Sequence, residues 1–141
     1  DVTCLAAIQR VTLNKKLFQS FEPLEVDVVY DVYQEMKDLQ IGVAIYSSDR
    51  KIYVFGPNTN LDKYPLPQQA GRYQMRYRIP KLALMSGDYV IDVGIFNSDG
   101  IVNLDYRNGC KAFSVASEYF SEGMMYLEPE WDVEKLTTEE N

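Results

Sequence analysis

Carboxylates, lysines and tyrosines are the side chains left to this chain for catalysis, because its 141 residues include no histidine. Ser-His-Asp and Cys-His nucleophilic chemistry is therefore absent, and so is the commonest transition-metal ligand. Paired carboxylates about 5–9.5 Å apart can cleave glycosides. Here, however, the acids alternate out of strand-like segments towards water, and none lies in an apolar setting that would raise its pKa. No enzymatic activity is expected. Asp99 and Asp105 could ligate calcium by type, but their spacing matches no EF-hand and they read as turn-forming acids, so no metal is expected. Neither GxxxxGK followed by Ser or Thr nor GxGxxG occurs, so no nucleotide cofactor is implied.

Charge and composition narrow the partners. The net charge of −7 disfavours nucleic acid and anionic membrane surfaces, which reward clustered Lys and Arg. No apolar run approaches the roughly 20 residues that span a bilayer. No segment has the form of a signal peptide, and a chain opening on Asp1 is expected to be a processed product or a piece of a longer one. Cys4 and Cys110 read as two free thiols in a reducing compartment, since their placement does not match the inter-sheet pair of antibody-type domains.

Period-two alternation dominates the elements that must position any site. In Leu24–Tyr33, Leu24, Val26, Val28, Tyr30 and Val32 share one face, and Glu25, Asp27, Asp31 and Tyr33 the other. Strands are likewise expected over Gln40–Tyr46, Lys51–Phe55, Arg72–Ile79, Asp88–Phe96 and Lys111–Val115, with further ones near Thr3–Val11 and Met124–Leu127. Asn97-Ser-Asp-Gly100 and Arg107-Asn-Gly109 carry turn chemistry between strands, and Gly56-Pro57-Asn58 and Tyr64-Pro-Leu-Pro67 belong to a loop. Leu84-Met-Ser-Gly87-Asp-Tyr89 has the spacing of a tyrosine corner, a structural device in which a Tyr hydrogen-bonds the chain a few residues upstream. The expected fold is all-β: an immunoglobulin-like antiparallel sandwich of about eight strands with an extra C-terminal strand. Residues 1–131 form this domain, and residues 132–141 an acidic tail.

The two outer faces differ. Pairing of the Leu24 and Arg72 strands sets Glu25, Asp27 and Asp31 against Arg72, Arg76 and Arg78, a solvated and charge-laced surface. The other sheet, built from the Gln40, Asp88 and Lys111 strands, presents mostly small outward residues: Gly42, Ala44, Gly94, Ala112 and Ser114. A glycine inside a strand often marks the close approach of a ligand or another backbone. Rimmed by Tyr46 and Phe96, these residues make a shallow groove, with Asp92, Asn97, Asn103 and Arg107 able to hydrogen-bond. Such a groove suits a sugar, whose C–H faces sit on aromatic rings and whose hydroxyls seek planar polar partners. The chain has 11 tyrosines, each with a flat apolar body and a polar tip. A covering subunit or C-terminal segment would fit the same groove. The expected carbohydrate-contacting residues are Tyr46, Asp92, Gly94, Phe96, Ala44, Ser114, Asn97 and Arg107.

The order of features resembles one family. The segments that carry the likeness are Phe21-Glu-Pro-Leu-Glu-Val26, Ile41-Gly-Val-Ala-Ile45, Val54-Phe-Gly-Pro-Asn-Thr59, Tyr77-Arg-Ile-Pro-Lys-Leu-Ala-Leu84 running into Ser86-Gly-Asp-Tyr89, and Gly123-Met-Met-Tyr-Leu127 before Trp131. They resemble the carbohydrate-binding domains at the C-terminus of the nucleotide-binding subunit of O-antigen polysaccharide ABC exporters. The resemblance implies a cytoplasmic domain at the inner face of the bacterial inner membrane, tethered indirectly to a membrane subunit. Its implied ligand is the non-reducing end of the polysaccharide, and any ATP site lies elsewhere. It also implies a homodimer, which the isolated Met124–Leu127 strand would stabilise by exchange. The alternative reading is an immunoglobulin-like structural or protein-docking module of a surface or secreted protein, which a Cys4–Cys110 disulfide would favour.

Overall fold

A computed structural model describes residues 4–97 and 102–137. The expected positions Thr3, Ser98 to Gly100 (including Asp99) and the last four tail residues lie outside that range. Alternation of side chains is what builds the core. In β3 (Leu24–Val32), Leu24, Val26, Val28, Tyr30 and Val32 are all buried. In β4 (Leu39–Ser47), Leu39, Ile41, Val43 and Ile45 point the same way and are equally covered. These two inward rows belong to different sheets and face each other.

One sheet has three strands, in the order β1 (Ala6–Leu13), β3 and β6 (Gly71–Ile79). The other has five, in the order β2 (Leu17–Gln19), β8 (Asn103–Ala116), β7 (Gly87–Asn97), β4 and β5 (Tyr53–Phe55). The described residues contain strands and no helix, so the fold is an all-β sandwich. Among them no helix is long and apolar enough to cross a membrane.

Three details depart from the sequence reading. First, β2 was not anticipated; it pairs parallel with β8, so the sandwich is not wholly antiparallel. Phe18, at the centre of β2, is fully buried against Phe113, which is why so short a segment holds as a strand. Second, Arg107-Asn-Gly109 is not a turn between strands. It lies inside the 14-residue β8, where the pairing with β7 shifts between Ile91 and Val93 and Gly109 takes φ +57. An extra residue with positive φ is a bulge, and the glycine serves it as it would serve a turn. Third, Met124–Leu127 is not a full strand. Met125 makes one bridge to Leu84, with Met85 N–H donating to Met124 O (2.8 Å) and Tyr126 N–H to Ala83 O (2.9 Å).

The three-stranded sheet carries the charged face. Register pairs Asp31 with Arg72, Asp27 with Arg76 and Glu25 with Arg78. The first pair is bidentate at 2.7 and 3.0 Å, whereas the others stand at 3.7 and 3.4 Å. The exposed pairs contribute at most about 1 kcal/mol each. At the head of β7, the buried Tyr89 donates its hydroxyl proton to Met85 O at 2.7 Å, and its ring passes Gly87, where a Cβ would stand 3.4 Å from that hydroxyl. Leu84, also buried, supplies the bridge to Met125 beside it. This corner fixes where β7 begins, and with it the register of every outward residue on the strand.

Candidate functional site

Antiparallel pairing of β4 and β7 sets outward residues directly opposite: Gln40 with Phe96, Gly42 with Gly94, Ala44 with Asp92 and Tyr46 with Val90. On the other side, β8 places Tyr106 opposite Gly94. The facing glycines do not leave an open groove. A Cβ on Gly94 would stand 2.8 Å from the Tyr106 ring, and one on Gly42 would stand 3.4 Å from both Phe96 and Asn58. The glycines are thus the seats on which two aromatic rings lie. What remains is a hollow of about 120 Å³ bounded by Ala44, Tyr53, Asn58, Phe96 and Tyr106.

Asp92 holds this face together from beneath. It is outward by register, yet only 1% exposed. Arg50 grips both its oxygens, at 3.0 and 2.7 Å. The Tyr106 hydroxyl donates to it at 2.6 Å and the Gly109 N–H at 2.7 Å, so the β8 bulge turns a backbone donor onto the carboxylate. Burial alone would push the Asp92 carboxyl up. The hydrogen bonds from Arg50, Tyr106 and Gly109 outweigh it and leave the pKa below the usual range. A carboxylate so committed is a poor proton carrier. Its role is to fix Tyr106 and Arg50, whose own ionisations are raised, by burial for the phenol and by the hydrogen bond to Asp92 for the guanidinium.

Arg50 extends the scaffold. Its φ of 62 is a left-handed conformation unusual for a residue with a side chain, at the end of a turn closed by Arg50 N–H to Ser47 O at 2.8 Å. From there the guanidinium lies 4.3 Å from the Tyr46 ring centroid, and Tyr46 stacks on Tyr53 at 4.7 Å. A continuous series of Tyr53, Tyr46, Arg50, Asp92 and Tyr106 therefore runs across the sheet.

The eight residues expected to contact a sugar divide. Tyr46, Ala44, Asp92, Gly94 and Phe96 converge on the hollow or its immediate support. Asp92 and Gly94 line the base of the hollow beneath Tyr106 and Arg50, and both are themselves buried. Asn97 ends β7, where its side chain accepts a 3.4 Å hydrogen bond from Val102 N–H. Ser114 lies towards the other end of the sheet, bonded to Asp88 at 2.6 Å. Arg107 shares the core-side face of its partner Val93 and donates to Ile8 O, while Asp105 accepts from Ile8 N–H at 2.7 Å. Arg107 and Asp105 thus clamp β1 to β8 and take no part in the hollow. Reading Arg107-Asn-Gly109 as a turn broke the alternation that would have put Tyr106 outward; this is why Tyr106 was missed. Arg50 and Asn58, on loops, gave no periodic signal. Both cysteines are free thiols: Cys4 is exposed and Cys110 half-buried, its pKa raised by burial.

The family model of the Wzt C-terminal domain matches residues 6–127. No curated protein matches the chain in sequence. Among solved structures, the crystal structure of the C-terminal domain of Wzt is similar at TM-score 0.78 and 15% identity, over 92% of this chain and 84% of that one. A Niemann-Pick type C2 protein from the Japanese carpenter ant is similar at TM-score 0.55 and 9% identity, over 81% of this chain and 93% of that one. At these identities the structural likenesses establish the fold alone.

Proposed function

Because the chain belongs to the Wzt C-terminal domain family, we propose that it is a non-catalytic carbohydrate-binding domain that recognises the non-reducing end of an O-antigen polysaccharide for an ABC transporter. The observation that carries the reading is the aromatic hollow on the five-stranded sheet, whose Tyr106 wall is held rigid by the buried Asp92. Ring faces with a few fixed polar groups suit the alternating C–H and hydroxyl surfaces of a sugar. The hollow, about 120 Å³ and open to solvent, offers a sugar ring the faces of Tyr53, Phe96 and Tyr106. Titrating the folded domain with the polysaccharide in a calorimeter should give weak, saturable heat. A flat titration from folded protein would leave the docking-module reading as the better one.

In this reading the domain works at the inner face of the inner membrane, contacting the transporter's membrane subunit only indirectly, and as a homodimer. Support for the dimer comes from the C-terminal segment: Leu127, Trp131 and Val133 are 79%, 90% and 93% exposed, and acids alternate between them. Large apolar side chains so exposed mark a surface for pairing. The exchanged element is Met124–Leu127, and the exposed residues that follow it extend the contact with the second copy. Light scattering at micromolar concentration should return the mass of two chains; the mass of one would contradict the dimer.

A further inference from the structure

A second hollow among the described residues lies between the two sheets and not on the outer face. Strand β6 is one edge of its sheet. Its inward residues Tyr73, Met75, Tyr77 and Ile79 are only partly buried, whereas their register partners in β3 are sealed. The gap is a cleft of about 390 Å³, roughly three times the outer hollow, between β6 and the loop that follows β5. Its floor is apolar, formed by Ile41, Val43 and Met75, and Tyr77 and Tyr64 stand along it.

The cleft and the outer hollow adjoin, because Pro57 and Asn58 line both. This short wall is fixed to β4: Asn58 bridges Gly42, Val43 N–H donates to Pro57 O at 3.2 Å, and Thr59 N–H donates to Ile41 O at 3.0 Å. The Asn58 carboxamide oxygen accepts from Leu61 N–H at 2.7 Å, so what it offers a ligand is its NH₂ group. Asp62 adds a carboxylate at the mouth. Arg76 and Arg78 stand there too, but each faces an acid of β3, at 3.7 and 3.4 Å. With Asp62 beside the Arg76–Asp27 and Arg78–Glu25 pairs, the rim carries one net negative charge and suits a hydroxyl-rich neutral group better than an anion.

We propose that the glycan bound in the outer hollow continues over the Pro57–Asn58 wall into this cleft, so that the domain reads at least two consecutive neutral sugar units, one in each space. This rests on the carbohydrate reading above and adds to it a second subsite, with Asn58 touching both units. Tyr64 and Asp62 are exposed loop residues outside the core, so replacing either leaves the fold in place.

The test uses one-, two- and three-unit fragments from the non-reducing end of the polysaccharide made by the source cell. They are titrated against the wild-type domain, Tyr64→Ala and Asp62→Ala, and followed by NMR shifts of the backbone amides. Affinity should rise about tenfold or more from one unit to two, with new shifts over residues 57–64. Both variants should lose that gain and keep the one-unit affinity. A wild-type domain that binds one unit as well as two, or variants that keep the gain, would overturn the second subsite while leaving the carbohydrate reading standing. Binding of neither fragments nor polysaccharide would overturn both.

Discussion

Replacing Asp92 with alanine is expected to cost about 3 kcal/mol of folding stability in chemical denaturation, the largest loss among the residues of this face. Removing one member of a buried, hydrogen-bonded charge pair strands the others. Here the Tyr106 hydroxyl, the Gly109 N–H and both Arg50 nitrogens lose their acceptor at once. Arg50 is 37% exposed and can turn to water, which keeps the cost below that of a fully enclosed pair. The left-handed φ of Arg50 is then unsupported as well. The pH dependence follows from the direction of the Asp92 shift. Its folded pKa is depressed, so its contribution is complete above the unfolded value of about 3.9 and is lost as pH falls through the folded one. Wild type and Asp92→Ala should therefore differ fully near neutral pH and converge in acid. Asp31, Asp49 and Glu22 are shifted the same way, but they are present in both proteins and cancel in the difference. A loss below about 1 kcal/mol, or a difference that persists unchanged at the lowest pH, would contradict the role assigned to Asp92.

Gly94→Trp is expected to abolish detectable polysaccharide binding from a domain that still folds. Even a methyl group at this position meets the Tyr106 ring at 2.8 Å. An indole must therefore drive Tyr106 off its seat and fill the hollow between Phe96 and Asn58 itself. Asp92 would keep Arg50 and the Gly109 N–H, so the scaffold survives the loss of one donor. A central contact of this kind costs at least about 2 kcal/mol, or roughly thirtyfold, when removed. Ser114→Ala is the control: Ser114 lies on the same sheet but bonds Asp88, away from the hollow, and its replacement should leave binding unchanged. Circular dichroism and denaturation report the fold; calorimetry reports the ligand. Binding retained by Gly94→Trp would move the site away from this face.

Much of this arrangement was legible from alternation. Which residues of each strand face inward follows from the apolar alternation, and an immunoglobulin-like strand order then places β3 beside β6, with its three acid–arginine rows, and β4, β7 and β8 in one sheet. Side-chain parity along an uninterrupted strand is a rigid constraint. It fails where the strand is interrupted. The bulge at Arg107–Gly109 uses the same residue types as a turn, and reading it as one shortened β8 and hid Tyr106. The short β2 was missed because its stability comes from Phe18 docking on Phe113, a contact distant in sequence. Arg50 sits in a loop, and only the folded chain brings it across 42 positions to Asp92. Asp92 was read correctly as outward. That it supports the surface rather than forming it depends on Arg50 and Tyr106 closing over it, which no local pattern encodes.

The claim that this domain reads a polysaccharide end is tested most directly by calorimetric titration with two preparations of the same polymer, one with native non-reducing ends and one with those ends trimmed. The account predicts saturable binding to the intact polymer and its loss, at equal sugar concentration, with the trimmed one. Equal binding to both would contradict end recognition and indicate contact with the repeating interior.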